Sequence, residues 1–242
     1  MARPGEHLAR TLPGIWQGRS LRRNLATLPT GHAALDRQLP GHGWPLGAIS
    51  ELLTETTGHG EFSLLMPALA ELSARGQWVV LVDPPWIPYP PAMSGYGVSM
   101  ERVMLIRTRT PEESLWACEQ VLRDIRGGAV LAWHDDPGFT RLRRLQLAAR
   151  SALKTGFLFR PHTMAHQASP AALRLQLSAD PPGTRIRVLK CQGQRAAESI
   201  FIRHSPHLPG KTRPVAGPEQ DSAKGLSRPQ SAPMETHQPY AH

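Results

Sequence analysis

Apolar residues recur at two spacings along the chain, and each change of spacing marks a new element. Residues 48–53 (AISELL) form an apolar run after the turn-rich stretch PGHGWPLG, which predicts a buried strand. Phe62, Leu65, Met66, Leu69 and Leu72 then repeat at helical spacing and stop before Gly76, a residue that ends helices without steric cost. Pro67 lies inside that segment and predicts a kink, or a helix regular on only one side of it. Residues 78–82 (WVVLV) and 103–106 (VMLI) read as strands. Thr110 as N-cap, Pro111 as first helical residue and Glu113 as the third spell a capping box, and Leu115, Cys118, Leu122 and Ile125 form the apolar face that follows. Residues 129–133 suit another buried strand, Leu142, Leu145, Ala149 and Leu153 a third helix ending at Gly156, and residues 157–159 a short strand.

After residue 170 the period becomes two. Leu173, Leu175 and Leu177 alternate with Arg174 and Gln176, and Ile186 and Val188 with Arg185, Arg187 and Lys190, on either side of Asp180-Pro181-Pro182-Gly183. That is a hairpin with one solvated face. Strand–helix units followed by antiparallel strands predict a three-layer α/β domain with a mainly parallel sheet and antiparallel C-terminal edge strands.

The two ends differ from this body. Residues 1–27 carry Arg3, Arg10, Arg19, Arg22 and Arg23 against Glu6, with Leu12, Ile15 and Trp16 between them, and predict a basic arm whose apolar residues anchor on the core or on a partner. Pro4, Pro13 and Gly14 break any amphipathic transit helix, and the absence of an apolar run points to a cytoplasmic protein without a membrane span. Residues 205–242 are rich in proline and polar residues and predict a disordered tail, which leaves 28–204 as the core domain. The formal charge of +9 favours an anionic partner, either nucleic acid or an acidic protein surface. Cys118 and Cys191 are too few and too far apart for a disulfide framework or a zinc site, and read as reduced core thiols.

In an α/β domain, phosphate binds in the turn between the first strand and the next helix. Here that turn runs from Leu53 through Thr54, Glu55, Thr56, Thr57, Gly58 and His59 to Gly60. A phosphate loop needs GxxxxGK[ST], whose lysine reaches the β/γ-phosphates and whose hydroxyl holds magnesium. Only Gly58 fits: Leu53 stands for the first glycine, His59 for the lysine and Gly60 for the hydroxyl. A mostly neutral imidazole does not replace an ammonium, and Glu61 opposes an anion at the helix start while suiting its dipole. The expectation is a degenerate phosphate-loop position (Gly58, His59, Gly60) with no cofactor, no metal and no ATP hydrolysis.

The segments ISELLTETTGHGEFSLLMPALAEL, WVVLVDPP, YGVSMERVMLI, TPEESLWACEQVLR, GGAVLAWHDD, GFLFRP and SPAALRLQL, in that order and spacing, resemble the RecA-like proteins of the ImuA and SulA group, and within it the ImuA type. The resemblance implies a RecA-like core acting through contacts in damage-induced (SOS) translesion DNA synthesis. The implied partners are a RecA-type recombinase, an inactive Y-family-like polymerase and an error-prone replicative-type polymerase, with the tail as a docking segment; weak non-specific DNA binding is a further expectation, from the basic residues of the third predicted helix. It also implies that the recombinase's catalytic glutamate falls near Pro85, and that Asp135 or Asp136 stands near its magnesium-associated aspartate. The alternative within the group is a SulA-like inhibitor of cell division, binding the bacterial tubulin homologue.

Contact candidates follow from surface chemistry. Arg141, Arg143, Arg144, Arg150 and Lys154 lie around the polar side of the third predicted helix, which is either a phosphate-tracking or acidic-partner face or a solvated one. Trp86 and Tyr89, in the proline-rich loop after the second strand, are candidate anchors. His162 and His166 are bracketed by Pro161 and Pro170 and read as a loop able to touch nucleic acid with Arg160, not as a zinc site.

Overall fold

The computed structural model describes residues 26–55, 60–124, 128–191 and 199–204. The predicted arm up to residue 25, Gly58 and His59 of the loop, and the tail 205–242 therefore lie outside the described residues.

A two-stranded ribbon, β1 (Thr27–Leu28) antiparallel to β2 (Trp44–Pro45), encloses the single-turn helix α1 (Ala33–Asp36). The main sheet consists of β3 (Ala48–Thr54), β4 (Val79–Val82), β5 (Val103–Ile106), β6 (Ala129–Trp133), β7 (Thr155–Pro161), β8 (Leu173–Asp180), β9 (Gly183–Cys191) and β10 (Ile200–Arg203). Its order is β10-β9-β8-β3-β7-β6-β4-β5. Every pair from β8 to β5 is parallel, and β9 and β10 are antiparallel additions at one edge. The helices are α2 (Glu61–Ala74), the short α3 (Pro90–Gly95), α4 (Pro111–Asp124) and α5 (Phe139–Ala152). This is the three-layer α/β fold, with mainly parallel sheet and antiparallel C-terminal edge, that the pattern predicts.

Alternation along each strand divides the core into two. Val79 and Leu81 face α2 together with Leu52, Leu131 and Phe157, where Leu65, Leu69 and Leu72 cover them. Val80 and Val82 face the other way with Val130 and Leu158, against Leu115, Cys118 and Leu122 of α4 and Leu142 and Leu145 of α5. Every residue of β3 is buried, as expected of a central parallel strand covered on both faces. Cys118 and Cys191 are both buried, as predicted, and burial pushes the Cys118 thiol up to about 12.

Several details depart from the sequence reading. α2 is one unbroken helix through Pro67, whose ring instead fills a space against Gly31: a Cβ added at Gly31 would lie 2.2 Å from Pro67 Cβ. The capping residues of α4 are as predicted, with Thr110 Oγ1 accepting from Glu113 N at 3.2 Å, but the Glu113 carboxylate takes the amide of Arg109, one residue upstream of the cap. β7 extends over seven residues instead of three. α5 ends at Ala152, before the predicted Gly156, because Leu153 adopts a left-handed conformation (φ 52°) and the Lys154 amide closes the turn on Ala149 O. That reversal sends Lys154 inward, where Nζ donates to Val121 O at 3.1 Å with the residue 5% exposed, so Lys154 does not belong to the basic face assigned to it. Residues 162–166, read as a loop, form a turn of 3-10 helix. The β10 strand had no counterpart in the sequence reading.

Candidate functional site

The parallel strands all end on one side of the sheet, and the polar chemistry gathers there. A cleft of about 680 Å³ opens between the ends of β3, β6 and β7. Its walls include Thr54 and Glu55, then Trp133, His134, Asp135 and Asp136, then Phe159 and Arg160, with Pro85 and Pro111 closing one side. Trp133 stacks on Phe159 with ring centroids 4.6 Å apart and planes 9° from parallel, which gives the cleft an aromatic wall.

Beneath the cleft lies a buried ion network. Glu51, in the middle of β3 and fully buried, accepts from Arg160 Nη1 of β7 at 2.9 Å and from Arg174 Nε of β8 at 2.5 Å. Ser169 Oγ donates a further bond to Glu51 Oε1 at 2.8 Å. Arg160 also reaches Asp136 Oδ1 at 3.2 Å and Asp135 O at 3.2 Å. Arg174 uses three further donors on the carbonyls of Met164, Ala165 and Gln167. Two carboxylates thus answer two guanidinium groups, and the 162–167 turn is tied to the sheet from below. Arg174, read as part of the hairpin's solvated face, is therefore a core residue; Arg160 is engaged inside and offers nucleic acid no free guanidinium face. His162 is half-buried and His166 exposed, and no group of potential metal ligands occurs among the described residues.

The ends of β4 and β6 are joined by a second chain of bonds. Asp83, at φ 48°, accepts from the Thr108 amide at 2.7 Å and the Thr108 hydroxyl at 2.6 Å. Burial alone would raise its carboxyl, but the bonds from Thr108 and Ser114 hold it below the ordinary carboxylate value. Ser114 Oγ lies 3.1 Å from His134 Nε2, and burial holds the His134 imidazole below its usual pKa, so it is neutral near pH 7. Ser114 is itself buried, which suits a structural hydroxyl and not a nucleophile.

The start of α2 is shaped by another imidazole. Gly60 precedes the helix at φ 95°, a conformation glycine adopts freely, and a Cβ there would come within 2.0 Å of His204 Cε1 and 3.0 Å of Thr184 Oγ1. His204, at the end of β10, is 2.7 Å from Thr184 Oγ1 through Nε2. The space beside Gly60 is thus filled by a side chain brought from the far edge of the sheet. Glu61 follows as a buried residue in the first turn of α2.

The surface candidates separate. Trp86 (51% exposed) and Tyr89 (69%) stand out from the loop after β4, with Ile87 between them. Arg141, Arg143, Arg144 and Arg150 are all exposed on α5, but Arg141 Nη1 pairs with Glu112 Oε1 at 3.1 Å and Arg144 Nη2 with Glu119 Oε2 at 2.7 Å, both on α4. Sequence reasoning passed over Glu51, although a lone carboxylate inside an apolar strand was the available signal.

No family model matches the chain. Similarity to individual proteins is extensive: the ImuA proteins of two Caulobacter vibrioides strains are 26% identical over 210 residues, covering 74% of this chain and 86% of theirs. The chain is thus similar to ImuA proteins, with shorter likenesses to SulA and RecA. The cell division inhibitor SulA of Edwardsiella piscicida is 32% identical over 100 residues, 40% of this chain and 58% of that protein. The RecA protein of Listeria welshimeri is 29% identical over 108 residues, 45% of this chain and 30% of that protein. The ImuA likeness thus extends over much more of the chain than the other two. No helix among the described residues is long and apolar enough to cross a membrane.

Proposed function

We propose that this chain is a non-catalytic RecA-like adaptor in damage-induced (SOS) translesion DNA synthesis and mutagenesis. It acts through protein contacts with a RecA-type recombinase and a translesion polymerase assembly, comprising an inactive Y-family-like polymerase and an error-prone replicative-type polymerase. The observation that carries this reading is the ImuA likeness across 74% of the chain.

The cleft's electrostatics support the absence of catalysis. Glu55, Asp135 and Asp136 line it, and its one described guanidinium, Arg160, is held by Glu51 and Asp136. A triphosphate entering there meets carboxylates with no lysine among the described lining residues, and phosphoryl transfer of this kind needs one. His59 stands where that lysine would be, and His204 occupies the space beside Gly60. Trp86 and Tyr89 are candidate anchors for a partner.

A second reading, a SulA-like division inhibitor, draws on the 32% identity over 100 residues. Binding of the purified full-length chain to the recombinase and to the division tubulin separates the two. An adaptor binds the recombinase, its deletion lowers damage-induced mutation, and its overproduction leaves cell length unchanged. Binding to the tubulin alone, with filamentation in undamaged cells, would overturn the adaptor reading. ATP turnover that is lost on His59→Ala would overturn its non-catalytic part.

A further inference from the structure

We propose that the groove between α4 and α5 docks an acidic protein segment bearing one large apolar side chain. This goes beyond the adaptor reading and does not depend on it. The groove holds a pocket of about 210 Å³ whose lining includes Leu115, Leu145, Trp116, Arg141, Arg144 and Glu119. Leu115 and Leu145 are buried and form its floor, whereas Trp116 is 63% exposed at its rim. A tryptophan and two arginines around an apolar depression are the residue types that concentrate binding energy at protein interfaces.

Charge selects the occupant. Glu119, almost buried, is held by Arg144 at 2.7 Å and by Arg123 at 2.9 Å, and Glu112 by Arg141 at 3.1 Å. Each of these pairs uses one of a guanidinium's five N–H donors, and Arg141 and Arg144 remain about half exposed, so each presents further donors to an incoming carboxylate. Arg143, Leu147 and Arg150 continue the surface along the outer side of α5 at i, i+4 and i+7, all exposed. The face as a whole sets the guanidinium groups of Arg123, Arg141, Arg143, Arg144 and Arg150 against the carboxylates of Glu112 and Glu119, and so attracts an anionic chain. Those two carboxylates are already paired with Arg141 and Arg144, and the leucine floor requires an apolar group that a phosphate backbone does not carry. An acidic peptide with a central aromatic or long aliphatic residue satisfies both conditions.

The test uses the full-length chain and a fluorescently labelled nine-residue peptide, phenylalanine flanked by aspartate and glutamate, with binding followed by anisotropy. Saturable binding is expected, weakened about tenfold or more when the peptide's phenylalanine becomes alanine, as burial of a large apolar side chain requires. Trp116→Ser and Arg144→Glu each weaken binding about tenfold, whereas Arg143→Glu, the same charge change outside the pocket, weakens it less than about threefold. Both pocket positions are exposed, and thermal melts of each variant establish that the fold is intact. The proposal is overturned by lack of saturable binding, by equal affinity for the alanine peptide, or by equal effects of Arg143→Glu and Arg144→Glu. It is also overturned if a labelled single-stranded oligonucleotide binds more tightly than the peptide and loses affinity in the same pocket variants.

Discussion

The Glu51 carboxylate on β3 accepts a 2.5 Å hydrogen bond from the Arg174 guanidinium on the adjacent parallel strand β8, with side chains 0% and 6% exposed. Removing a partner from a buried charge is strongly destabilising, and Glu51 would keep only Arg160 and Ser169. Arg174→Met is therefore expected to cost about 3–5 kcal/mol and to release the 162–167 turn, whose carbonyls Arg174 holds. Urea unfolding measures the first effect, and amide exchange in the turn the second. A loss below about 1 kcal/mol would show that Arg160 alone suffices for Glu51.

Gly60 and His204 compete for one space. Gly60→Ser is expected to destabilise the protein by about 1–3 kcal/mol, from a non-glycine residue at φ 95° and its collision with the imidazole. Adding His204→Ala should recover part of that loss. The double variant equalling the single one in a thermal melt would place the whole cost in the backbone.

Two imidazoles make stability depend on mildly acid pH. Burial lowers His32 and His134 below the ordinary histidine value of about 6.5, so each binds its proton more readily in the unfolded chain. Their contribution is fully present above that value and declines as pH falls through it towards the folded-state pKa. Unfolding free energy is expected to drop between pH 7.5 and 5.5, and less steeply in His134→Gln. Equal slopes in the two proteins would remove His134 from the effect.

Lys154 and Arg150 are close in sequence and opposite in role. Lys154→Met removes the donor to Val121 O and is expected to cost about 1–3 kcal/mol, whereas Arg150→Met, on the exposed face, stays within about 0.5 kcal/mol. Chemical denaturation of the pair measures the contrast.

The fold was largely legible in the order of residues because its signals are local. Runs such as AVLAW, helical repeats of leucine and the Thr110-Pro111-Glu113 cap depend on neighbours only a few positions away. The likeness to the ImuA group was legible in the same way, as a succession of such segments. Where Pro67 would fall was also visible, but not that its ring would pack against Gly31.

The destinations of the charged side chains required the tertiary structure. Arg160 and Arg174 stand 109 and 123 residues from Glu51, and nothing in their local pattern distinguishes them from the exposed Arg185 and Arg187. Lys154 reads as the end of a basic helical face until Leu153 turns the chain inward. His204 reaches Gly60 only because β10 pairs with β9 at the sheet edge. Sequence alone determines which segments become strands and helices, because periodicity and capping act within a few turns of chain. Strand order decides which distant charges meet, since an ion buried beside one strand must find its partner on another.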